Sequence, residues 1–148
     1  MSPMELALAE ARTAAARGEV PVGAVVTDSA GTVLARAGNE VEARRDPSAH
    51  AEMLALREAA AATGDKVLPE ATLWVTLEPC AMCAAAASFF RVKRVVFGAY
   101  DPKGGAVEHG PRFFAQPTCH HAPEVVGGVR ESEAAALLRD FFAGLRQG

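Results

Sequence analysis

"ATLWVTLEPCAMCAAAASFFRVKRVVFGA", residues 71–99, decides the fold. It opens on a short, almost unbroken apolar run ending in "LEP", the pattern of a strand buried on both faces of a sheet. An alanine-rich segment from about Cys80 follows, reads as a short helix and gives way at Val92. A second β-rich run, "KRVVFGA", closes the stretch. Strand, short helix, strand is a βαβ unit, so Leu73 to Thr76 and Arg94 to Gly98 are predicted as parallel neighbours.

Working towards the amino terminus, "ALREAAAAT" belongs to a helix predicted from Ala49 to Thr63 and stopped by Gly64. A polar loop, Asn39 to Ser48, precedes it. Before that, Pro21 to Thr27 and Thr32 to Ala37 are β-rich and joined by the turn formers "DSAG", which predicts a hairpin. Met4 to Arg17 has helical spacing and ends at Gly18. On the carboxyl side, residues 101–123 are rich in Gly, Pro and His with little periodicity; a loop that long in a compact domain is often functional. "EVVGGV" offers one more short strand. Glu131 to Arg146 reads as a closing amphipathic helix with Leu137, Leu138, Phe141, Phe142 and Leu145 on its apolar side. The expectation is one α/β domain, residues 1–148, built as a three-layer α/β/α sandwich around a central mixed five-stranded sheet.

Composition narrows the function classes. The 148 residues are 50% hydrophobic and 22% charged, which is globular rather than disordered. No apolar run approaches the roughly 18 residues of a membrane span. "MSPMELALAEAR" shows neither a basic leader nor a small-residue cleavage site, so the expected location is cytoplasmic, with no membrane partner. Three cysteines, two of them only three positions apart, do not make a disulfide scaffold. A net charge of -3 gives no general attraction for nucleic acid, so such a partner would need a local basic patch.

Two motifs carry chemistry. Cys80 and Cys83 are spaced C-x-x-C at a helix start, where backbone amides and the helix dipole favour the thiolate a metal needs. His50 and Glu52 sit in "AHAEMLA" at the start of another helix. The local reading of that pair is a capping histidine and a carboxylate placed well for the dipole. One histidine and two cysteines also suit zinc, with three ligands leaving a corner open for water whose pKa the metal brings towards neutrality. Glu52 would then shuttle protons between that water and the substrate. A fourth ligand, Cys119, would instead close a structural zinc module. The run Cys119, His120, His121 also tempts a second metal, although adjacent side chains rarely converge on one ion. A redox thiol pair would leave His50 and Glu52 unexplained.

H-x-E followed by P-C-x-x-C resembles the signature of the zinc deaminases of bases. "GEVPVGAVV", Asn39, "DPSAHAE", "VTLEPCAMC", "RVVFGAYDPKGGA" and "LLRDFFAGLR" together resemble the bacterial tRNA-specific adenosine deaminases, within the cytidine and deoxycytidylate deaminase superfamily, over nearly the whole chain. That resemblance implies a cytidine-deaminase-like fold, a homodimer, one Zn²⁺ per chain held by His50, Cys80 and Cys83, and Glu52 as the catalytic proton shuttle. It implies conversion of the wobble adenosine to inosine in the anticodon stem-loop of an arginine tRNA. Asn39 would hydrogen-bond the flipped base, Val22 and Ala24 would lie close to the purine, and Pro79, Ala81, Asp101, Lys103, Phe142 and Arg146 would complete substrate binding. "VEHGPRFFAQPTCHHAPEVVGG" departs from the family pattern. With little basic sequence after Arg146, RNA binding would lean on Arg91, Lys93, Arg94, Lys103, Arg112, Arg139 and Arg146. A deaminase of free bases or nucleosides such as cytosine or guanine, using the same zinc chemistry, is the enzyme alternative.

Overall fold

The computed structural model describes residues 1–147. Helix α1 (Pro3–Ala16) starts where Ser2 accepts a hydrogen bond from the Glu5 N–H and Pro3 takes the first turn. Gly18, at φ +87°, turns the chain away. The hairpin follows as β1 (Gly23–Thr27) and β2 (Val33–Gly38), antiparallel, with Asp28 Oδ1 accepting from the Ala30 and Thr32 N–H groups to shape its turn. The polar loop then departs from expectation, because Val41–Arg44 forms a short helix, α2.

Helix α3 (Ala51–Thr63) starts two residues later than predicted, placing His50 at the N-cap, and ends at Gly64 with φ +76°. The βαβ unit is present as β3 (Thr72–Leu77), α4 (Ala81–Phe89) and β4 (Arg94–Ala99), with β3 and β4 parallel. A single 3-10 turn at Phe113–Ala115 interrupts the long loop, β5 (Glu124–Val126) pairs parallel to β4, and α5 (Glu131–Gln147) closes the chain. The sheet order is β2-β1-β3-β4-β5, mixed and five-stranded as the sequence implied.

Alternation along the strands divides the core in two. Val25, Trp74 and Val96 face α1 and α5, meeting Met4, Leu8, Ala134 and Leu138. Val26, Leu73, Val75, Val95 and Phe97 face α3 and α4, meeting Leu56, Ala59, Ala84 and Ala87. Many of these contacts are alanine, and small side chains let helices approach the sheet closely. At Gly23 the approach is closest: a Cβ there would run into the Ala7 carbonyl of α1. α5 departs from the predicted pattern at its far end. Leu137 and Leu138 join the core, whereas Phe142 and Leu145 are 42% and 60% exposed. No helix among the described residues is long and apolar enough to cross a membrane.

Candidate active site

The parallel strands β3 and β4 end side by side, and each hands the chain to a segment of the site: Glu78-Pro79-Cys80 after β3, Tyr100-Asp101 after β4. β1 runs the other way, so its beginning lies at the same edge, and the Gly23 N–H donates to Thr76 Oγ1 at 3.1 Å. β2 ends there too, delivering Asn39. Carboxyl ends of parallel strands are the usual place for a ligand in an α/β sheet.

His50 and Cys80 both occupy N-cap positions, where a serine or aspartate would ordinarily turn back onto its own helix. Neither side chain caps. They point at each other instead, with His50 Nδ1 3.6 Å from Cys80 Sγ and 3.5 Å from Cys83 Sγ, and all three ligand atoms within 4.8 Å of one another. The capping reading of His50 therefore fails. Zn–N and Zn–S bonds of ordinary length at tetrahedral angles would separate N from S by about 3.5 Å, so the donor set fits zinc in kind and in spacing. Two helix N-termini face the cluster and favour negative sulfur.

Within the cluster the negative charge is concentrated on Cys80. A hydrogen bond from the Cys83 thiol, with His50 adding to it, holds Cys80 down at about 4, while sharing that hydrogen bond and burial push Cys83 up. The hydrogen bond with Cys80 raises His50. Burial pushes Glu52 up to about 7; the side chain is 4% exposed in the first turn of α3, on the cavity side of the cluster.

A cavity of about 580 Å³ opens over this cluster. Val20, Val22, Asn39, Val41 and Glu42 form one wall, Leu77, Asp101 and Gly104 the other, and Phe141, Phe142 and Leu145 of α5 edge the mouth. The structure thus gathers Val22, Asn39, Asp101 and Phe142 around His50, Glu52 and Cys80. It does not bring Ala24, Pro79, Ala81, Lys103 or Arg146 to the lining. Ala24 is fully buried in the core beneath Val22, Pro79 is buried behind the cluster with its carbonyl accepting from Ala106 N–H, Ala81 faces outward on α4, and Lys103 and Arg146 are exposed. Arg94 is engaged with Glu124 at 3.0 Å rather than free for a ligand.

Cys119 does not close the metal site. Its thiol lies against Ser88 Oγ at the far end of α4 and donates to the His121 carbonyl at 3.2 Å, while His121 Nε2 bonds the Val92 carbonyl at 2.7 Å. Among the described residues only His50, Cys80 and Cys83 could group around an ion. Two pocket-side acids escaped the sequence reading, Glu19 in "GEVPVG" and Glu78 in "LEPC". A lone acid inside an apolar strand-like run was the signal available.

A mixed sheet between two helix layers, with a three-donor cluster at two helix starts and a buried carboxylate beside it, is a site suited to metal-assisted hydrolysis. Residues 2–99 match the family model for the cytidine and deoxycytidylate deaminase zinc-binding region. The chain is 59% identical to a tRNA-specific adenosine deaminase of Agrobacterium fabrum (strain C58) over 94% of this chain and 91% of that protein. A structure solved in a study of A-to-I editing by tRNA:A34 deaminases at the wobble position of transfer RNA matches with a TM-score of 0.90 and 58% identity, covering 92% of this chain and 98% of that one. A guanine deaminase from Nitrosomonas europaea matches with a TM-score of 0.78 and 26% identity, over 95% and 83%. The chain belongs to the tRNA-specific adenosine deaminases of the cytidine and deoxycytidylate deaminase family.

Proposed function

We propose that the chain, as a single domain of residues 1–148, holds one zinc ion through His50, Cys80 and Cys83 and converts the wobble adenosine of a tRNA anticodon loop to inosine, in an arginine tRNA as the resemblance implies. The observation that carries this reading is the placement of Glu52 and the His/Cys/Cys cluster beneath a cavity whose mouth is edged by exposed apolar side chains. When bound, the metal supplies a water activated for attack at neutral pH. Glu52, buried on the cavity side of the cluster, would take up a proton from the attacking water and deliver protons to the purine ring and then to the departing amine. The C6–N bond breaks, a C6–O bond replaces it and ammonia leaves. Asn39 hydrogen-bonds the base, which must leave its stack at a cost of a few kcal/mol in a single-stranded loop. Asp101 and Phe142 line the cavity where the RNA enters, and Lys103 and Arg146 border its path outside.

The same reading makes the protein a cytoplasmic homodimer. Ala81, Met82, Ala85 and Phe89 form an uncharged outward face on α4, with Phe89 77% exposed, and a second copy of the chain is the partner that face suits. The likeness to a guanine deaminase supports the free-base alternative, and salt separates the two. RNA binding releases counterions, with a slope of about -0.7 per phosphate contacted for single strands, whereas a free base has none to release.

The test is inosine formation in an anticodon stem-loop with adenosine at the wobble position, alongside cytosine, guanine and free adenosine. Glu52→Ala is expected to keep zinc while losing activity by a factor of about 10² to 10⁴ or more. Cys83→Ala is expected to lose the metal. Rapid turnover of a free base with no inosine in the stem-loop at low salt, or loss of zinc in Glu52→Ala, refutes the reading.

A further inference from the structure

We propose that Glu19 and Glu78 are positioning residues on which the two walls of the cavity hang: Glu19 carries the wall of Asn39 and Val41, and Glu78 the wall of Asp101 and Gly104. Both border the cavity, but their oxygens are taken up by backbone donors rather than offered to a ligand. The inference rests on the deaminase reading above and assigns to it two side chains outside the proton shuttle and the metal cluster.

Glu19 is 1% exposed, so it has almost no surface to offer a ligand. Its two oxygens accept from the Glu42 N–H at 2.9 Å and the Ala43 N–H at 2.8 Å. These belong to α2, a helix of four residues whose own N-cap, Glu40, supplies no side-chain bond. One isolated turn cannot sustain itself, because nucleation fixes several dihedrals for a single hydrogen bond. The carboxylate, arriving from more than twenty residues earlier, satisfies two of the helix's free donors with charge-assisted bonds. Asn39 depends on that turn. Its side-chain bonds, to the Val20 carbonyl and from the Val41 N–H, are both long at 3.4 Å, so its placement is set by the backbone on either side.

Glu78 does the same opposite. It is 2% exposed, and its Oε2 accepts from three successive backbone donors, Val107 at 3.1 Å, Glu108 at 2.9 Å and His109 at 3.1 Å. Its Oε1 meets the Asp101 N–H at 3.0 Å and His109 Nδ1 at 2.8 Å. A loop folded around one carboxylate in this way has no regular structure of its own to hold it. Gly105 leaves the room: a Cβ there would lie 2.5 Å from the Glu78 carboxyl carbon.

Glu19→Gln and Glu78→Gln keep shape and remove one acceptor each, presenting an amide N–H to a backbone N–H. For each, the KM for the stem-loop is expected to rise about tenfold, the factor that a lost charge-assisted hydrogen bond corresponds to, with kcat changed less and zinc content unchanged. Amide hydrogen exchange should quicken at Glu42 and Ala43 in the first variant and at Val107 to His109 in the second, while β3 amides keep their protection. Loss of zinc, a fall in kcat at constant KM, or unchanged exchange at those amides overturns the proposal. If the wild-type protein makes no inosine in the stem-loop, the substrate reading fails alone, because the exchange measurement reports on the walls without any substrate.

Discussion

Phe142→Ala separates a side chain that holds the fold from one that holds the substrate. With 42% of its surface exposed, Phe142 recovers on folding about half of the roughly 1.5 to 3 kcal/mol that full burial would bring, so truncation costs about 1 to 2 kcal/mol of stability and a few degrees in Tm. Part of that is the edge contact with Phe141, whose ring lies 5.4 Å away at 79°. On the proposed reading, the ring at the mouth of the cavity would stack on the nucleotide beside the flipped base. Stacking of a base on an aromatic side chain is worth about 1 to 3 kcal/mol, which predicts a KM for the stem-loop raised about 5- to 150-fold with kcat nearly unchanged. Steady-state inosine formation and a thermal melt of the same sample measure both effects. Leu137→Ala, on the core-facing part of the same helix, should lower Tm without moving KM, and Phe142→Trp should restore KM. A Phe142→Ala enzyme with reduced Tm and wild-type KM would refute the stacking role and leave Phe142 as packing alone.

Three further outcomes follow from the geometry. Gly23→Ala should destabilise by about 3 kcal/mol or more in chemical denaturation, because the added Cβ meets the backbone of α1, the Ala7 carbonyl and Ala11 N at 2.7 Å, and neither can swing aside. Cys119→Ser should retain the zinc and turnover of the wild type by metal analysis and kinetics, since the thiol bonds only Ser88 and the His121 carbonyl; loss of metal would return Cys119 to the ligand set. Chelation should abolish activity and lower Tm reversibly, because on the proposed reading zinc would join the starts of α3 and α4 and its binding free energy would be in part folding free energy; a melt unchanged by chelator would argue against a bound metal.

The parts of the molecule that were legible in the sequence are those set by neighbours in the chain. Leu73 to Thr76 is continuously apolar because β3 is buried on both faces, and the short helix after it left only a parallel crossover to β4. Gly18 and Gly64 marked helix ends because each adopts a positive φ. The grouping of His50, Cys80 and Cys83 was legible because a metal site constrains residue type and spacing within each half, and the fold brings their donor atoms within 4.8 Å of one another. What escaped depends on contacts between distant segments. α2 exists because of Glu19, far earlier in the chain, and nothing between Asn39 and Ser48 announces it. The stripe of Leu137, Leu138, Phe141, Phe142 and Leu145 has a regular helical period, but periodicity does not tell where the sheet beneath α5 stops; past Leu138 the apolar face overhangs the cavity. Ala24 lies beside the purine only by the family resemblance, which carries no measure of depth; here it is fully buried below the cavity.

The stability of the fold and the chemistry of the site are drawn from different ends of the same elements. α3 and α4 give up capping side chains at Cys80 and His50, where a serine or aspartate would contribute about 1 kcal/mol each. Their unsatisfied amides and positive dipole ends are left facing one point, which is unfavourable for an empty apolar junction and favourable for thiolate around a cation. Further along, the same helices bury Leu56, Ala59, Ala84 and Ala87 against the sheet with few polar interruptions, and that packing anchors the axes on which the cluster is built. The cavity walls follow the opposite rule. Beyond the apolar contacts of Val22 and Val107, they hang on the carboxylates of Glu19 and Glu78, so on the proposal above a wall can be altered through its carboxylate without disturbing α3 and α4. On that proposal, substrate fit can change while the helices that carry the His50, Cys80 and Cys83 cluster stay in place.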